Sequence, residues 1–166
     1  LITSIADDNA GASPNQTDND TEGNGNATTP DNVRWGTIRF YPSSDDAFSS
    51  IQYADFIYGG AHDAPVTWES AAAPVSFSNV KFSNNYGLWF SGNSTPSVDN
   101  VFVQSSRYDP LAMSYFADPI FTNITFDANG SNGIRLIDAQ LSADATLNKR
   151  DVAGITNIAY VSDGLQ

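Results

Sequence analysis

Apolar and polar residues alternate along most of this chain, and between Pro74 and Phe126 the alternation is written three times in one form. The copies read Pro74-Val75-Ser76-Phe77-Ser78-Asn79-Val80-Lys81-Phe82, Pro96-Ser97-Val98-Asp99-Asn100-Val101-Phe102-Val103 and Pro119-Ile120-Phe121-Thr122-Asn123-Ile124-Thr125-Phe126. Their prolines are 22 and 23 residues apart, and their asparagines 21 and 23. An asparagine followed by apolar, any, apolar is the pattern of a strand with one buried face, and a fixed period in this range marks a stacked repeat. Ser50-Ile51-Gln52-Tyr53 and Asn157-Ile158-Ala159-Tyr160 read as weaker relatives on either side.

A second alternating element precedes each copy: Thr37-Ile38-Arg39-Phe40, Val66-Thr67-Trp68, Gly87-Leu88-Trp89-Phe90, Leu111-Ala112-Met113 and Gly133-Ile134-Arg135-Leu136. Its first apolar residue lies 13, 14, 13 and 13 residues before that of the asparagine strand in the pairs 38–51, 66–80, 88–101 and 111–124. The last pair, 134–158, is 24 residues apart, which places a loop insertion at 138–152. A coil of near-constant circumference without helical periodicity predicts an all-β parallel β-helix of about five to six rungs, over a single domain 1–166. A β-sandwich also offers turn-separated strands, but it does not hold one circumference over consecutive turns. Two inward columns are expected: Ile51, Val80, Val101, Ile124, Ile158, and Tyr53, Phe82, Val103, Phe126, Tyr160. Asn79, Asn100, Asn123 and Asn157 are expected to stack as an amide ladder at a tight bend.

Trp35-Gly36-Thr37-Ile38, Ile51-Gln52-Tyr53-Ala54 with Tyr58-Gly59-Gly60, and the Ser/Asn-Asn-[Ile/Val]-x-Phe copies resemble the right-handed parallel β-helix repeats of large secreted and surface-anchored microbial proteins. Ile2 to Asn9 and the acidic loop after it fit the same group. The resemblance covers most of the chain and implies a right-handed coil in an extracellular or cell-surface setting. Its motifs specify a fold and carry no catalytic signature.

Charge narrows the field. Nineteen acidic residues stand against 7 Lys plus Arg, a net of −12, which excludes nucleic acid as a partner and suits divalent cations. There is no cysteine, hence no disulfide and no thiolate metal site, and no apolar run long enough to span a membrane. The loop 9–33 holds Asp18-Asn19-Asp20-Thr21-Glu22-Gly23, oxygen ligands at alternate positions before a glycine, as calcium loops use. Asp18, Asp20 and Glu22 are therefore the candidate calcium ligands, although the EF-hand glutamate is missing at the twelfth position and a solvated acidic loop explains the same residues. Sequons make Asn15, Asn19, Asn26, Asn93 and Asn129 candidate glycosylation sites. The chain begins at Leu1 without a signal peptide, and neither end carries a capping pattern. It is expected to belong to a longer solenoid or to stack end to end on copies of itself.

The outward column of the first strand reads Arg39, Thr67, Trp89, Ala112, Arg135. An indole between arginines can stack a sugar ring and hold a uronate carboxylate. Glycosidic cleavage needs two facing carboxylates, which this column lacks. Asp55, Asp63, Asp109, Asp118 and Asp127 fall at strand ends, where turns favour Asp, and His62 has no evident partner. Trp35 is expected to cap the coil and Trp68 to lie in the core. Two functions follow: a non-enzymatic extracellular scaffold, adhesin or filament subunit, or a carbohydrate-binding or polysaccharide-degrading surface on Arg39, Trp89 and Arg135.

Overall fold

The computed structural model describes residues 1–2, 34–43, 49–60, 64–69, 76–137, 141 and 143–162. The first turn carries β1 (Ile38–Phe40), β2 (Ser50–Gln52) and β3 (Asp55–Ile57). The second carries β4 (Val66–Glu69) and β5 (Ser76–Ser83), and the third β6 (Leu88–Ser91) and β7 (Ser97–Gln104). The fourth carries β8 (Leu111–Met113), β9 (Ile120–Thr122) and β10 (Thr125–Asp127), after which come β11 (Ile134–Leu136) and β12 (Tyr160–Ser162). Strands β1-β4-β6-β8-β11-β12 form one sheet, and β2/β3, β5, β7 and β9/β10 the other. Every pairing between these strands is parallel. The architecture is a parallel β-solenoid of about four turns.

The first-sheet column is the expected one: Ile38, Val66, Leu88, Leu111 and Ile134 lie in register, each on the next. Among the described residues the coil makes about four turns, rather than five to six, because the second sheet ends at β10. After β11 none of the described residues returns to that sheet. Instead Val152 and Ile155 pair antiparallel across Ala153 and Gly154, both at positive φ (54° and 76°), and this small hairpin occupies the end of the coil. Tyr160 consequently pairs with Ile134 in the first sheet and not with Phe126 in the second. Val152 and Ile158 still close the core at this end, both nearly inaccessible.

The other correction lies in the first turn. Ile51 pairs with Phe77, not Val80, and Phe56 rather than Tyr53 pairs with Phe82. The true relative of Asn79-Val80-Lys81-Phe82 is Tyr53-Ala54-Asp55-Phe56, three residues later than the apolar pattern indicates. The first turn is thus the widest, and its circumference differs from the rest.

What sets the shape of each turn is a pair of left-handed corners. Tyr53, Asn79, Asn100 and Asn123 all have φ between 49° and 55°, and Tyr58, Asn84, Ser105 and Ala128, five residues on, have φ between 49° and 56°. L-residues enter this region at a cost, which Asn tolerates best. Two residues between each pair of corners point inward: Ala54 and Phe56, Val80 and Phe82, Val101 and Val103, Ile124 and Phe126. The interior is an aromatic column. Phe40 stacks on Trp68 and Trp68 on Phe90 at centroid distances of 5.8 and 4.7 Å, while Phe77 meets Trp68 edge-on at 4.9 Å. Phe56 lies flat on Phe82 at 4.9 Å. Trp68 is fully buried, as its inward register requires. Trp35 covers Phe56 at 6.0 Å and donates its indole N–H to the Ile57 carbonyl at 2.7 Å.

Candidate functional site

The corner column carries the first polar network. Asn100 donates through Nδ2 to Oδ1 of Asn79 at 2.7 Å. Asn123 turns instead to the Asp99 carboxylate at 3.2 Å. Asn157 precedes β12, a strand of the first sheet, so it has no place in this column; its backbone N–H donates to Asp151 at 2.9 Å.

Two further amides, not legible in the sequence, clamp the chain to the preceding turn. Asn85, fully buried, donates to the Phe56 carbonyl at 2.9 Å and accepts the Gly59 N–H at 2.5 Å, both from the preceding turn. Asn129 repeats the motif two turns later, donating to the Val103 carbonyl at 3.1 Å and accepting the Ser106 N–H at 2.9 Å. Each stands one residue after the second corner, where the chain turns away from its neighbour and leaves two backbone groups to satisfy. Gly59 can hold no side chain here, because a Cβ would fall 2.4 Å from the Trp35 ring. The only sequence trace is an asparagine following Asn84 and Ala128. The sequon makes Asn129 a candidate glycosylation acceptor, but both ends of its amide are engaged with the preceding turn. Asn93, by contrast, is exposed beside the positive-φ Gly92.

The outward column of the first sheet is in the expected register, Arg39–Thr67–Trp89–Ala112–Arg135. Its arginines are drawn elsewhere. Arg39 pairs with Glu69 across one turn. The Arg135 guanidinium lies over the Tyr108 ring at 5.3 Å. Thr67 and Ala112 are buried and Trp89 is half-buried, so the column is not an open groove.

Arg135 instead ends a different line of side chains along the corner that leads into the first sheet. Arg34 lies over Tyr86 at 5.2 Å, Arg107 over Tyr86 and over Tyr108 at 5.8 Å each, and the two tyrosine rings are 5.6 Å apart. Read along the coil, the order is Arg34, Tyr86, Arg107, Tyr108, Arg135. All four cation–ring distances fall within the range of favourable cation–π contact. Arg107 also donates to the Tyr86 hydroxyl at 3.1 Å, and the Arg34 guanidinium donates to the Asn84 carbonyl.

The described end of the insertion is held on the coil at Arg150. Arg150 forms an ion pair with Asp118, donates to the Pro119 carbonyl at 3.0 Å and to the Tyr160 hydroxyl at 2.9 Å, and covers Phe121 at 5.9 Å. A cleft of about 260 Å³ between Asp118, Phe121, Arg150 and Val152 is thereby lined by an arginine each of whose three nitrogens already donates a hydrogen bond. Asp18, Asp20 and Glu22, the sequons at Asn15, Asn19 and Asn26, and His62 lie outside the described residues. Among the described residues no three His, Asp or Glu side chains cluster as metal ligands. Ile2 bridges Phe56 and Trp35 bridges Gly59 three residues on, so the described residues on either side of the acidic segment meet the same corner.

No protein-family model matches this chain. Neither a curated protein nor a solved structure matches it either.

Proposed function

We propose that this chain is a non-enzymatic structural and adhesive β-solenoid module of an extracellular or cell-surface protein of the secreted microbial type. The observation that carries the reading is the continuous like-on-like register through both sheets around a filled aromatic core. Such a coil is stiff and offers proteases little extended backbone. Among the described residues β12 pairs on one side only, with β11, and at the other end Ile2 pairs on one side with β3. Such edges take a further strand, from flanking turns of a longer protein or from a second copy. The small polar residues of the corners and the net charge of −12 suit an exposed, saline setting. The acidic loop 9–33 is proposed to take calcium through Asp18, Asp20 and Glu22, and Asn15, Asn19, Asn26 and Asn93 to be open to glycosylation.

A second reading places carbohydrate binding or cleavage on Arg39, Trp89 and Arg135, which share one outward column. The Arg39–Glu69 pair and the burial of Thr67 and Ala112 count against it.

Incubation with acidic and neutral polysaccharides is expected to release no new chain ends, while electron microscopy shows rods that lengthen with protein concentration. Product formation abolished by Trp89→Ala would overturn the scaffold reading. In the same samples a chelator is expected to lower the melting temperature, and Asp18→Asn with Asp20→Asn to remove that response. An unchanged melting temperature would dismiss calcium.

A further inference from the structure

We infer that the Arg34–Tyr86–Arg107–Tyr108–Arg135 line is a binding surface for an acidic glycan chain lying along the coil axis. Three of the seven Lys and Arg residues of a chain with net charge −12 gather on this one line. That is local charge concentration against the global trend. At physiological ionic strength charges more than about 8 Å away are largely screened, so the patch, not the net charge, governs a ligand in contact with it. Asp109 stands at the rim, and its carboxylate accepts the Ser131 hydroxyl.

The order of the side chains decides the ligand class. Guanidinium groups offer planar paired donors suited to carboxylate or sulfate, and here the tyrosine rings, covered by those guanidiniums, hold them in a row. Three guanidiniums flank two tyrosine rings whose own centroids are 5.6 Å apart. Successive turns are about 4.8 Å apart, close to the advance of one sugar unit in an extended glycan. A linear chain parallel to the axis can therefore carry its acidic groups past one turn after another. Arg107 and Tyr108 are exposed, whereas Arg34, Tyr86 and Arg135 are half-buried and fix the line at its ends. At Gly130, the turn above Arg107, a Cβ would sit 2.7 Å from the Arg107 carbonyl oxygen, so no side chain closes that flank. A polynucleotide also combines rings with anions, and it is the competing ligand that the titration separates.

This surface gives the adhesive half of the proposed function its ligand and rests on that half alone; rod growth tests the structural half separately. The test is calorimetric titration of the full chain with four probes: hexagalacturonate, a chondroitin sulfate hexasaccharide, a neutral glucose hexasaccharide and single-stranded DNA. Binding of either acidic glycan, at least 10-fold tighter than the neutral one, is expected. Arg107→Gln and Tyr108→Ala should each weaken it at least 10-fold with the melting temperature held, Tyr108→Phe should leave it within 2-fold, and Arg39→Gln, off the line, should not change it. Equal binding of the neutral glycan, tighter binding of DNA, an unaffected Arg107→Gln protein, or no binding of either acidic probe would each overturn the assignment.

Discussion

Tyr53 is the residue whose role differs most from its appearance. In the sequence it closes an apolar alternation; in the structure it occupies the first corner at φ 53°, with 81% of its surface exposed. The three turns above use asparagine at the same place. A bulky residue held in the left-handed region costs on the order of 1–3 kcal/mol, and an exposed ring offers little packing to offset it. Tyr53→Asn is therefore expected to stabilise the chain by about 1 kcal/mol and to extend the ladder to Asn79. Asn85→Ala should do the opposite, since it strands a buried N–H and a buried carbonyl at about 1–3 kcal/mol each. Urea denaturation checks both, and a destabilised Tyr53→Asn protein would contradict the corner assignment. The chemistry of Val80, Val101 and Ile124 is visible in a string of letters because burial selects apolar side chains. A positive φ is a property of the backbone, visible only where the residue happens to be Asn or Gly. That is why the Asn corners were legible and Tyr53, Tyr58, Ser105 and Ala128 were not. The inner clamps Asn85 and Asn129 were hidden for a related reason, because a buried amide and a loop amide are the same letter.

At the scale of elements, the first sheet was readable because apolar residues recur at one spacing along β1, β4, β6, β8 and β11. The end of the coil was not, because Asn157-Ile158-Ala159-Tyr160 satisfies the strand pattern while belonging to a different sheet. The decisive contact is long-range: Arg150, 31 and 32 residues from its partners Pro119 and Asp118, fastens the insertion against β9. A partly buried arginine sharing its donors among a carboxylate, a carbonyl and a hydroxyl contributes about 1.5–3 kcal/mol per charged hydrogen bond at most. Arg150→Ala is expected to release residues 141–152 before the rest of the coil. Limited proteolysis should then cut within that segment while amides of β5 and β7 remain protected from hydrogen exchange. Simultaneous loss of protection in β5 and β7 would show that the insertion is integral to the coil. The arginine–tyrosine line was likewise beyond the sequence. Its members are scattered from Arg34 to Arg135, and only the direction of the corners brings them into one row.

At the scale of the whole molecule, stacked parallel turns account for the rigidity, the exposed strand edges and the straight row of cations and rings. Each of these disappears if the register is wrong. The most direct measurement is nuclear magnetic resonance of the intact 17.8 kDa chain with labelled methyl groups. Close methyl contacts are expected from Val80 to Val101 and from Val101 to Ile124 in one sheet, and from Leu88 to Leu111 and Leu111 to Ile134 in the other. Short Hα–Hα contacts between neighbouring strands, the mark of antiparallel pairing, or methyl contacts displaced by even one residue, would contradict the solenoid.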